Sequence, residues 1–179
     1  MDKIKPGDGF LVSRKGILQY CINTVQKLRS MDSRSSYTHS GLIVSSEGTT
    51  YEARKVINEY DLKHYLNKKI LIYRHECNNN NTFFKFYNKI KNESCGKIYP
   101  FYRLIFHIYT PLSKLAPLNR SVCSEINAKH HFMCEFINYW KGTTPDNLHD
   151  IVCDPWADQW YIIFNGVLTE DIYNKIVSK

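Results

Sequence analysis

The chain has 179 residues, 24 Lys and Arg against 17 Asp and Glu, a net charge of +7, and 43% apolar residues. That size and composition suit one folded domain spanning 1–179, and they exclude a disordered or fibrous chain. No apolar run approaches the roughly 18–20 residues of a membrane span, and MDKIKPGDGFLV lacks a signal-peptide core, so a cytoplasmic protein without a transmembrane segment is expected.

The walk along the chain begins with the turn signal Lys5-Pro6-Gly7-Asp8 and a short strand, Gly9–Ser13. Ile17, Leu18, Cys21, Ile22, Val25 and Leu28 recur at three- and four-residue steps, which predicts a helix from Gly16 to Leu28. Polar Arg29–Ser36 reads as a loop. Tyr37–Ser45 and Thr49–Ile57 read as two strands of a hairpin around the turn Ser46-Glu47-Gly48. Residues 59–62 open a helical turn towards Leu66, and Lys69–Arg74 reads as a buried strand. The asparagine run 78–81 reads as a surface loop, and Thr82–Ile90 as a helix ended by Cys95-Gly96-Lys97. Aromatic Tyr99–Tyr109 has no clear period, and Pro111 and Pro117 bracket a loop. Ser121–Trp140 carries the apolar stripe Ile126, Met133, Ile137 and Trp140, and predicts a helix stopped by Gly142 to Pro145. A short helix over Asp146–Asp150, a strand at Trp160–Phe164 and a final helix capped by Thr169 complete the order. The mixture is α+β, with no internal repeat, no βαβ alternation and no phosphate-binding glycine motif.

The charge of +7 favours an anionic cell-wall or membrane surface as surroundings. The basic residues are scattered, with no block of five or six, so nucleic acid is not the expected partner. The six cysteines, Cys21, Cys77, Cys95, Cys123, Cys134 and Cys153, are irregularly spaced and form no C-x-x-C pair. Neither a disulfide framework nor a zinc site is indicated, which leaves reduced thiols as core packing or as a nucleophile.

Cys123 differs from the other five by its position. With Ser121 as N-cap it falls in the first turn of a helix, where unpaired N–H groups favour a thiolate and can hold an oxyanion. Glu125 in that turn complements the dipole and works against the thiolate. Cys21 and Cys134 fall on apolar helix faces, and Cys77, Cys95 and Cys153 lack a helix start. A thiol nucleophile needs a base. His39 opens the first hairpin strand, and Glu52 on the second lies diagonally near it, typed to fix the imidazole's tautomer. His64, His75, His107 and His149 have no evident carboxylate partner, and His130 with Cys134 is too short a pattern for zinc.

In this order the segments PGDGFLV, THSGLIV, TYEA, GKIY and VCSEINA resemble the permuted papain-like thiol hydrolases of the NlpC-type superfamily, above all the YiiX/YebB-like proteins and their poxvirus relatives. The resemblance covers about residues 4 to 150. It implies a circularly permuted papain-like fold, an antiparallel β-barrel or curved sheet packed against the helix carrying the cysteine. It implies Cys123 as nucleophile, His39 as base and Glu52 as orienter. Tyr99, Ser124 and Ser40 are implied at the substrate or oxyanion side, with no metal or cofactor. Ser40 and Pro100 depart from the family pattern and leave the pocket lining open.

The implied activity is hydrolysis of an amide or peptide bond, in a cell-wall peptide or an N-acyl amide, through a thioester. A lipid acyl hydrolase or acyltransferase on the same triad is the alternative, with Phe101, Tyr102 and Phe106 as candidates to line an acyl chain. An inactive basic binding module is the reading from another class. An unreactive Cys123 and salt-sensitive binding would mark it.

Overall fold

A computed structural model describes residues 2–16, 20, 24, 26, 37–98, 122–156 and 158–178. The strands are β1 (Gly9–Val12), β2 (His39–Ile43), β3 (Thr49–Ala53), β4 (Ile57–Asp61), β5 (Lys69–His75) and β6 (Trp160–Val167). The helices with described bounds are a 3-10 turn at Leu62–Tyr65, α1 (Asn80–Ser94), α2 (Cys123–Met133), α3 (Pro145–Cys153) and α4 (Glu170–Ile176), and Tyr20, Thr24 and Gln26 are also helical. The expected helix Gly16–Leu28, the loop Arg29–Ser36 and the whole stretch 99–121 lie largely or wholly outside the described residues, Cys21, Tyr99, the aromatic run and Ser121 with them.

The strands form one antiparallel sheet in the order β4-β3-β2-β1-β5-β6. It is open, with β4 and β6 as its edges, so the expected antiparallel sheet is present among the described residues and is not closed into a barrel. Both faces are covered, which explains why β1 and most of β5 are buried on both sides. On one face Phe10, Val12, Ile43, Ile70 and Ile72 pack against Leu62 and Tyr65 of the 3-10 turn and Tyr173 and Ile176 of α4. On the other, Tyr51 and Ala53 pack against Phe83, Tyr87 and Ile90 of α1 and Ile126 of α2, while Leu11, Leu71 and Tyr73 meet Ala128 and the α3 residues Leu148 and Val152. No helix of the described residues is long and apolar enough to cross a membrane.

The turn at Pro6-Gly7-Asp8 is real. Gly7 has φ 90°, and a Cβ there would lie 2.2 Å from the Asn78 side chain, so both the conformation and the space demand glycine. The next residue, Asp8, is buried and accepts a two-pronged bond from Arg74 (2.6 and 2.8 Å), tying the turn to β5.

Several boundaries move, each for a physical reason. The second hairpin strand ends at Ala53 instead of Ile57. The chain turns at Arg54–Val56, and the expected helical turn from residue 59 becomes β4 with its 3-10 turn after it. β4 has no clear sequence signature because it is an edge strand, whose Asn58 and Glu59 face water and break the apolar alternation. Helix α1 starts inside the asparagine run, because Asn79 caps it through Oδ1 to the Thr82 N–H (3.0 Å). Helix α2 stops at Met133, seven residues before Trp140. Glu135 takes φ 63° and the Cys134 and Phe136 N–H groups bond back to His130 and His131. The apolar stripe beyond that point still packs inward, as the buried Ile137 shows, but not as helix. α3 runs on to Cys153, β6 to Val167, and Thr169 caps α4 as expected.

Candidate active site

The β2–β3 hairpin builds one half of the site. Its ladder pairs Leu42 with Tyr51 and Ile43 with Thr50. Continuing that register sets Glu52 opposite Gly41, with His39 two residues further on the same face, a diagonal neighbour within reach. Gly41 has to be small: a Cβ there would lie 2.7 Å from the Phe10 ring and 3.0 Å from the Glu52 Cβ. His39 Nε2 meets Glu52 Oε2 at 2.5 Å, and both side chains are buried. A carboxylate only accepts, so Nε2 carries the proton and Nδ1 is the basic nitrogen left for another partner.

That partner is Cys123. Helix α2 begins at Cys123, with Val122 in the N-cap place expected of Ser121. The Cys123 thiol lies close enough to His39 for the imidazole, and for the backbone amides of Ser40 and Ser124, to act on its ionisation. Cys123 packs with the α1–α2 cluster while His39 and Glu52 belong to the opposite face. The ring of His39 therefore bridges a thiol and a carboxylate.

The electrostatics follow from that order. Burial pushes the Cys123 thiol up, but the His39 charge and hydrogen bond, with the Ser40 and Ser124 N–H groups, outweigh it and bring the pKa below its ordinary value. Burial lowers the His39 pKa, yet Cys123 and then Glu52 raise it to about 9. Burial likewise raises Glu52, and His39, Arg54 and Tyr65 reverse this and hold it at about 2. All three shifts favour the thiolate–imidazolium–carboxylate form.

Three groups around Glu52 had not been singled out from sequence. Thr50 donates to Oε1 (2.9 Å), Arg54 Nε to Oε2 (3.2 Å), and the Tyr65 hydroxyl to Oε2. Thr50 and Arg54 stand two residues either side of Glu52, so strand alternation could have flagged them. Tyr65 comes from the 3-10 turn and has no local signature. Asn127, one helical turn after Cys123, is a further tether. Its Nδ2 donates to the Gly41 carbonyl (2.9 Å) and to Tyr73 (3.0 Å), which fixes α2 against β2. Glu125 bends back to accept from the N–H groups of Val122 (3.1 Å) and Gly142 (2.9 Å), locking the start of α2 to the turn before α3.

The Ser124 amide helps lower the thiol pKa, while its hydroxyl donates to the Thr143 carbonyl (2.6 Å). The Ser40 amide acts on the thiol as well, and its buried hydroxyl has no hydrogen-bond partner among the described residues. The other described histidines have contacts of their own. His130 is held at about 4 by burial, and Cys134, 3.8 Å from its Nε2, is pushed up to about 12, so the pair stays neutral. His75 stacks on Phe136 at 3.9 Å. His149, for which no carboxylate was evident, has one in its neighbour Asp150 at 3.7 Å, on the surface. No cluster of three or more His, Cys, Asp or Glu able to hold a metal ion occurs among the described residues.

No protein-family model and no curated protein matches the chain. A solved structure described as metalloprotein yiiX from Escherichia coli O157:H7, DUF1105, superposes with a TM-score of 0.57 at 14% identity, over 93% of this chain and 99% of that one. The similarity to YiiX therefore holds at the level of fold.

Proposed function

We propose that the protein is a cysteine hydrolase that cleaves an amide or peptide bond through a thioester on Cys123. The observation that carries this reading is the His39 ring held between the Glu52 carboxylate and the Cys123 thiol. His39 Nδ1 takes the thiol proton, and the thiolate adds to the carbonyl carbon of the substrate. The N–H groups at the start of α2 face the oxygen that becomes negative. Collapse expels the amine, which leaves with the proton from His39, and the acyl group stays on sulfur. Water then gives a proton to His39 and adds to the thioester, releasing the acid and the free thiol. Glu52 holds the imidazole's tautomer throughout, and Tyr65, Thr50 and Arg54 hold Glu52. The order His39, Glu52, Cys123 along the chain agrees with the permuted papain-like arrangement that the motifs resemble.

The test is turnover of γ-glutamyl peptides, N-acyl amides and acyl lipids side by side, with mass-spectrometric trapping of an acyl group on Cys123. Cys123→Ala should fold and be inactive. Full turnover by that variant, or a wild-type Cys123 alkylated only near pH 8.5 like the other thiols, would refute the proposal.

A further inference from the structure

Beside Arg54 and Tyr65, two of the groups that hold Glu52, lies a pocket of about 290 Å³ lined by Arg14, Lys15, Arg54, His64, Tyr65 and Lys68. Its walls come from three places far apart in sequence: the segment after β1, the β3–β4 turn, and the 3-10 turn with the residues leading into β5. Four basic side chains, Arg14, Lys15, Arg54 and Lys68, converge there, and the lining contains no Asp or Glu. Among the described residues, no carboxylate is paired with Arg14, Lys15 or Lys68. Arg54 has an ion pair with a described residue, through Nε to Glu52.

Gathering like charges around one concavity opposes folding, and the field it focuses is a binding site for a compact anion. Arg54 is already oriented for that purpose. Its guanidinium lies 4.5 Å above the Tyr60 ring and 5.2 Å from the Tyr65 ring, and Glu52 fixes Nε. A stacked guanidinium beside mobile ammonium groups fits the tetrahedral oxygens of a phosphate better than a planar carboxylate, which one fork would satisfy. The volume is at the low end for small-molecule sites, which suits one phosphorylated group rather than a polymer.

We propose that this pocket binds the phosphate group of a phosphomonoester, either a soluble compound or a lipid headgroup. The inference stands apart from the chemistry at Cys123, and its test needs no turnover.

The full chain is titrated with inorganic phosphate by calorimetry at pH 7, against sodium chloride of matched ionic strength. Saturable binding is expected for phosphate and not for chloride. Arg14→Ala with Lys68→Ala should weaken it at least about tenfold, as expected for losing two charge-assisted contacts, and Lys68→Arg should preserve it. Should the double variant not fold, Lys15→Ala and Lys68→Glu, each at an exposed side chain, carry the same prediction. The absence of saturable phosphate binding, or binding as tight in the variants as in the parent, overturns the proposal. Flotation with vesicles containing phosphatidic acid, against phosphatidylcholine alone, then separates the sources. Variant-sensitive flotation assigns a lipid headgroup, and phosphate binding without flotation assigns a soluble phosphate compound.

Discussion

Replacing Glu52 by Gln removes one charge from the site while keeping its shape and its ability to accept from His39. The rise of the His39 pKa from 6.5 to about 9 corresponds to about 3 kcal/mol in favour of imidazolium. Cys123 is the larger contributor and Glu52 the smaller, so losing the Glu52 charge costs on the order of 1–2 kcal/mol of that stabilisation. The thiolate–imidazolium pair forms less readily by the same amount, and the apparent thiol pKa moves up by about one pH unit. The assay is the rate of iodoacetamide alkylation at Cys123 against pH, followed by mass spectrometry so that the other cysteines serve as internal references. Wild-type Cys123 should react well below pH 7, and the Glu52→Gln inflection should lie about one unit higher. Superimposable profiles for the two proteins would refute the coupling of Glu52 to the thiol through His39.

Glu52 also sets an acid limit on stability. Its folded pKa, about 2, lies below the ordinary 4.5, so its contribution is present above pH 4.5 and is lost as the pH falls through the folded value. Unfolding free energies from urea titrations at pH 5 and pH 3 should differ by about 2 kcal/mol more in wild type than in Glu52→Gln. Gly41→Ala drives a Cβ to 2.7 Å from the Phe10 ring and should cost about 1–3 kcal/mol in urea unfolding, while raising the Cys123 inflection because Glu52 is displaced. Asn127→Ala leaves the Gly41 carbonyl and Tyr73 hydroxyl short of a donor. It should lower stability by about 1–3 kcal/mol and turnover along with it, as α2 loosens against β2. Dialysis against EDTA should leave turnover unchanged, and a loss restored by a divalent metal would overturn the thiolate mechanism proposed above.

The sequence alone determined what depends on near neighbours. Period-two and period-3.6 patterns located the strands around His39 and Glu52 and the helix opening at Cys123, because burial of one face imposes those periods. The hairpin's short connection was enough to bring His39 and Glu52 together, since register follows from the turn. Patterns failed where burial and local conformation part company. β4 is half-exposed, and the stripe through Ile137 stays buried after α2 has ended at a left-handed Glu135. Only the tertiary structure decided which groups complete the Glu52 shell, that Asn127 ties the thiol's helix to the histidine's strand, and that the sheet stays open. It alone gathered Arg14, Lys15, Arg54 and Lys68 around one pocket. Those contacts join segments far apart in the chain, and their geometry is set by how helices pack on a sheet, which no local spacing encodes.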